Sequence, residues 1–99
     1  MGRIKKSPAA RADLIDIWQY IADDSSAEAD RFLDTIEDVL LLITESPKMG
    51  KRKDELALQI RSFPVGDYRI FYRELDAGKG IEVVRVLNAA QDINAVHFE

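Results

Sequence analysis

Residues 58–87 read LQIRSFPVGDYRIFYRELDAGKGIEVVRVL. Leu58–Phe63, Tyr68–Leu75 and Ile81–Leu87 are rich in β-branched and aromatic residues and are expected strands. Pro64-Val65-Gly66-Asp67 and Asp76-Ala77-Gly78-Lys79-Gly80 separate them as expected turns. Connections this short join neighbours that run in opposite directions, so these strands should form an antiparallel meander.

Upstream, the apolar period changes from two to that of a helix. Leu14, Ile17, Trp18 and Ile21 fall on one helical face, and Asp13, Asp16 and Gln19 on the polar side. Ser7-Pro8 supplies an N-cap and a proline for the first helical position. Asp23-Asp24-Ser25-Ser26 breaks that helix and caps a second. The second carries Ala29, Phe32, Leu33, Ile36, Val39, Leu40 and Ile43 on one face and stops at Pro47. Leu41 and Leu42 widen its stripe, which suits a helix covered on a second side. Arg3–Lys6 is a short first strand, Met49–Glu55 a charged loop around Gly50, and Asn88–Phe98 a short closing helix or a tail. The expected fold is α+β: a helical hairpin packed on a small antiparallel sheet, in the order β-α-α-β-β-β.

The chain has 99 residues, which suits one domain. Apolar residues are 46% and charged residues 32%, a globular balance. It has no cysteine, which favours a reducing, cytoplasmic setting. No apolar run is long enough to span a bilayer, and the basic start has no apolar stretch behind it to make a signal peptide. With no cysteine and one histidine, no metal and no cofactor are expected. The net charge of −4 argues against a general nucleic-acid binder. Residues 1–50 hold 6 basic and 10 acidic side chains, and residues 51–99 hold 8 of each, so the cations gather in the second half.

Arg61, Arg69, Arg73 and Arg85 lie in strands that are otherwise apolar. Simple alternation puts Arg85 on the face of Ile81, Val83 and Leu87. A cation there needs an internal partner, an outlet to water, or an anionic segment of another molecule. Lys48, Lys51, Arg52 and Lys53 form a basic loop that is either solvated surface or a phosphate contact. Tyr68, Phe71 and Tyr72 fit strand packing, with Tyr72 also able to offer a phenol beside Arg73. His97 has the only side chain whose ordinary pKa suits neutral-pH acid–base work, and it stands two residues from the end. No nucleophile elbow, phosphate-cradling glycine loop or metal-binding helix motif is present, so no catalytic residue is assigned.

One ordered set of segments spans nearly the whole chain: Ser7-Pro8-Ala9-Ala10, Asp13-Leu14, Ile17, Tyr20-Ile21, Pro47 and Met49-Gly50; then Ile60-Arg61-Ser62-Phe63-Pro64-Val65-Gly66, Tyr68-Arg69-Ile70-Phe71-Tyr72-Arg73 and Val84-Arg85-Val86-Leu87. In this order they resemble the ParE-type toxins of type II toxin–antitoxin pairs, within the RelE/ParE superfamily. The resemblance implies a non-enzymatic toxin that inhibits DNA gyrase, with a role in plasmid stabilisation, neutralised in a hetero-oligomer by a cognate antitoxin. It implies no membrane and no sequence-specific nucleic-acid partner. The RelE branch, which cuts messenger RNA on the ribosome, is the alternative, as is an inactive relic that only binds its antitoxin. Arg61, Tyr72, Arg73 and Arg85 are the expected contacts to antitoxin or target, with strand 58–63 or 81–87 offering an edge. ParE-type chains often carry histidine and arginine after the last strand, where this chain has Asn88-Ala89-Ala90-Gln91-Asp92.

Overall fold

The structure is a computed structural model and describes residues 2–96 and Phe98. Its elements are β1 (Arg3–Lys6), α1 (Pro8–Ala22), α2 (Ser26–Glu45), β2 (Lys51–Arg52), β3 (Arg61–Val65), β4 (Tyr68–Glu74) and β5 (Gly80–Asn88). Short 3-10 turns follow at Pro47–Met49, Asp76–Gly78 and Ile93–Ala95. The β-α-α-β-β-β order stands, with the two-residue β2 added inside the expected charged loop.

The helix boundaries follow from the residues that satisfy their ends. The Ser7 hydroxyl accepts from the Ala10 N–H at 3.0 Å and donates to the Val84 carbonyl at 2.7 Å, so the cap also ties α1 to β5. The Ser25 hydroxyl accepts from the Glu28 N–H and starts α2. The Trp18 indole donates to Asp30 at 2.8 Å across the hairpin.

The sheet order is β1-β5-β4-β3-β2. β3, β4 and β5 form the expected antiparallel meander, but β1 pairs parallel to β5, so the sheet is mixed. The helical hairpin carries the chain the length of the sheet and back, and the four antiparallel-paired strands β2 to β5, an even count, then leave β5 running in the direction of β1. Pro64, expected in a turn, lies in β3 opposite Arg69. β2 pairs only with Arg61 and Ser62, so the missing N–H of Pro64 removes no bond there.

Two apolar layers flank the sheet. Ile17, Ile36, Leu40 and Ile43 of the helices pack against Ile70, Tyr72, Ile81, Val83 and Val86. Complete burial of a side chain such as Ile36 or Leu40 is worth about 1.5–3 kcal/mol. On the opposite face Ile60, Phe71, Val84, Leu87 and Phe98 form a second cluster, roofed by the 53–60 loop and the C-terminal segment. The Phe71 and Phe98 rings stand 4.8 Å apart.

One irregularity explains how β5 serves both layers. Phe71 pairs with Arg85 but Tyr72 pairs with Val83, so Val84 is an extra residue in β5. The alternation slips there: Ile81, Val83 and Val86 face the helices, whereas Val84 and Leu87 face away. This corrects the single face expected for Ile81, Val83, Arg85 and Leu87.

Candidate functional site

Three of the four strand arginines meet internal partners, each different. Beyond Val83 β1 has ended, and α1 lies along the open edge of β5. There the Asp13 carboxylate accepts from Arg85 Nε at 2.7 Å, Arg85 Nη2 at 2.8 Å and the Val86 N–H at 2.9 Å. A two-pronged guanidinium–carboxylate pair of this kind has strength and direction. The hydrogen bond to Asp13 raises the Arg85 pKa further, against the burial that lowers it. Arg85 is therefore the internally paired cation among its possible roles.

Arg61 and Tyr72 form a second node, at the loop that follows α2. The Tyr72 hydroxyl donates to the Pro47 carbonyl at 2.7 Å and accepts from the Gly50 N–H at 2.9 Å. Arg61 Nη1 donates to the Gly50 carbonyl at 2.8 Å and to the Lys48 carbonyl at 3.3 Å. A Cβ on Gly50 would lie 2.5 Å from the Tyr72 hydroxyl, so this close approach requires glycine. Tyr72 is fully buried and presents no surface to a partner in this conformation, unlike the exposed phenol considered from sequence. Burial raises its pKa, opposed by the Gly50 N–H and the nearby Arg61 charge.

Replacing Tyr72 with Phe removes both bonds and should cost about 1–3 kcal/mol in chemical denaturation. The phenol also has a pH consequence. Its folded pKa lies above the ordinary 10.0, so the unfolded chain ionises first. Stability is whole below 10.0 and falls as pH rises through that value towards the folded one. Melts from pH 8 to 11 should show a shallower alkaline decline for Tyr72→Phe than for the parent chain.

Arg73 stands apart, on the face away from the helices with Phe71. Its Nη2 donates to the Phe98 carbonyl at 3.3 Å, and its Nε is buried with no acceptor among the described residues. Arg69 borders a nearby hollow with Lys53, Leu56, Phe71 and Ile93. Tyr68 packs on Phe32, ring centroids 5.5 Å apart, and burial raises its pKa.

The basic loop is partly neutralised from within. Asp54 accepts from Arg52 at 2.6 and 3.1 Å and from the Gln59 N–H at 2.9 Å. The Arg52 hydrogen bond holds Asp54 below the usual carboxylate range. Lys48, Arg52 and Arg61 line a hollow of about 400 Å³ with Glu74 and Asp76, so its charge is mixed.

The four expected contact residues do not converge on one patch. β3 and β5 are interior strands, edges only over part of their length. The open part of β5 holds the Asp13 carboxylate, and the open part of β3 holds Pro64. Leu41 and Leu42, expected to be covered, are more than half exposed, as are Ile15, Tyr20 and Leu58. Asn88 and Gln91 border a hollow of about 280 Å³ with Asp13, Tyr20, Tyr68 and Arg85. His97 lies outside the described residues. Among the described residues no group of three or more His, Cys, Asp or Glu side chains is placed to hold a metal ion. Among the described residues no helix is long and apolar enough to cross a membrane.

Asp13 is the residue that helical spacing misplaces. Its position off the apolar stripe reads as solvent-facing, whereas its side chain is 12% exposed. The signal was a carboxylate in the second turn of α1 and a cation in an apolar strand, each needing the other.

A helical hairpin on a five-stranded sheet of this order defines the class: the fold of the RelE/ParE superfamily. A chain of the chromosomal ParDE toxin–antitoxin system of P. aeruginosa superposes with a TM-score of 0.71 at 19% identity, over 89% of this chain and 96% of that one. A chain of the RelBE2 toxin–antitoxin complex of Mycobacterium tuberculosis superposes at 0.64 and 22% identity, over 88% of this chain and 96% of that one. The family profile described as the ParE toxin of type II toxin–antitoxin systems, parDE, matches residues 4–93. Toxin ParE1 of Mycobacterium tuberculosis strain H37Rv is 32% identical over 89 residues, 89% of this chain and 90% of that protein. Toxin ParE1 of Caulobacter vibrioides is 31% identical over 90 residues, 90% of this chain and 91% of that protein. The chain belongs to the ParE toxin family of type II toxin–antitoxin systems.

Proposed function

We propose that this toxin is a non-enzymatic inhibitor of DNA gyrase, silenced by a cognate antitoxin that binds it directly. Family membership supports the target class and the partner. The observation that favours binding over chemistry is that, among the described residues, the groups RNA cleavage would draw on are engaged elsewhere. RNA cleavage needs a free base, a free acid and a cation for the developing phosphorane charge. The Tyr72 hydroxyl is spent on Pro47 and Gly50, the Arg85 guanidinium on Asp13, and Arg61 on two backbone carbonyls. Inhibition by binding needs only a complementary surface.

The test is a supercoiling assay with relaxed plasmid, gyrase and ATP. The expected result is a dose-dependent loss of supercoiled product with linear DNA accumulating. No effect from folded protein in large excess would overturn the gyrase reading. Primer extension on translated message would then show discrete cuts for a RelE-like enzyme and none for a chain that only binds its antitoxin.

A further inference from the structure

The sheet face away from the helices is roofed by loop and tail, and the roof leaves an open groove. It has a volume of about 640 Å³ and is lined by Leu56, Leu58, Gln59, Arg73, Val96 and Phe98, with Ala57 between the two leucines. Among the described residues of that lining, Arg73 is the only charged one. Among the described residues its buried Nε has no acceptor, and its one side-chain hydrogen bond, to the Phe98 carbonyl, is long at 3.3 Å. None of the ion pairs among the described residues includes Arg73. Its cross-strand neighbour, Glu82, lies 4.0 Å from Lys5 instead.

A buried guanidinium N–H without an acceptor is uncommon, because the desolvation it has suffered is not returned. Nε and Nη2 lie on the edge of the guanidinium that a carboxylate grips with both oxygens. The surrounding leucines, valine and phenylalanine want aliphatic surface. One wall of the groove is preformed. Asp54 clamps Arg52 and the Gln59 N–H, the Lys53 N–H donates to the Ile60 carbonyl at 2.8 Å, and Gln59 holds a left-handed φ of 62°. That clamp presents Leu58 at the rim, 76% exposed. A rigid rim lowers the ordering cost of binding.

We propose that this groove receives a segment of the antitoxin in which one acidic side chain is flanked by aliphatic ones. The carboxylate accepts from Arg73 Nε and Nη2, displacing the weak bond to Phe98, and the flanking residues cover Leu56, Leu58 and Val96. The proposal rests on the reading that a cognate antitoxin binds this chain, and it supplies the chemistry of one contact. Charge complementarity selects the occupant: a purely apolar segment leaves Arg73 Nε bare, and a phosphate on a nucleic acid gains nothing from the aliphatic walls.

The test is calorimetric titration of the full chain with its cognate antitoxin, for the parent and for Arg73→Gln and Leu58→Asp. Leu58 is exposed, so its substitution leaves the fold intact, and a thermal melt checks both variants. The expected result is a loss of affinity of about 10- to 100-fold for each. One Glu→Gln or Asp→Asn change in the antitoxin should give a similar loss and add nothing to that of Arg73→Gln. Normal antitoxin binding by both folded variants would overturn the groove and leave the antitoxin reading standing. No binding by the parent chain would overturn both. If Arg73→Gln instead couples to Glu99→Gln within this chain, the carboxylate is supplied in cis and the proposal fails.

Discussion

Asp13→Ala should destabilise the chain by about 3 kcal/mol, although Asp13 lies off the apolar stripe of its helix. The substitution removes three hydrogen bonds at once. It leaves the Arg85 guanidinium, whose side chain is 21% exposed, without its counter-charge, and the Val86 N–H without an acceptor. Removing one partner of a largely buried pair costs more than the pair contributes, because the remaining charge stays desolvated. For a domain of this size the melting temperature should fall by roughly 12–20 °C. Asp13→Leu combined with Arg85→Met should recover part of the loss, since only the backbone N–H is then bare. A double variant no more stable than Asp13→Ala alone would refute this account. Arg85→Glu, in contrast, sets a second carboxylate against Asp13. Its loss of toxicity would report unfolding rather than a lost contact.

Gly80→Ala should be comparably severe, at about 3–5 kcal/mol. Gly80 has φ +125°, and a Cβ there would lie 1.9 Å from the Arg3 carbonyl oxygen and 2.3 Å from its nitrogen. Both are backbone atoms of the parallel partner strand, so no side-chain movement relieves the clash. The damage should concentrate at β1. Hydrogen exchange should accelerate at the Ile4–Lys6 amides well before those of β4, whereas uniform acceleration would point to global unfolding.

Much of this architecture was legible, for identifiable reasons. Helix periodicity, the Ser7 and Ser25 caps and the stop at Pro47 are local signals, and local structure obeys them. The parallel pairing of β1 was not legible, because four residues, Arg3 to Lys6, do not encode which strand they join. Nor was the slip at Val84, since an alternation pattern assumes a constant register. The C-terminal roof carries apolar residues at no fixed period, so Val96 and Phe98 gave no sign of what they cover. The strand arginines stood out as a group, yet proximity in sequence is not proximity in space. Arg85 serves Asp13, Arg61 serves the loop after α2, and Arg73 faces the opposite side of the sheet. The partner of Arg85 was in plain view, 72 positions away.

The shortness of the two outer strands has a consequence for how the chain behaves in crowded solution. β1 is four residues with Arg3, Lys5 and Lys6, and β2 is only Lys51 and Arg52. A sheet grows into fibrils by recruiting strands along long, flat, uncharged margins. These margins are brief and cationic, and a second copy docking edge to edge would set lysine and arginine against their own kind. The same brevity that leaves β5 to be finished by Asp13 gives the folded chain a barrier to amyloid-like stacking. That barrier is lost if β1 detaches and uncovers the long, valine-rich flank of β5.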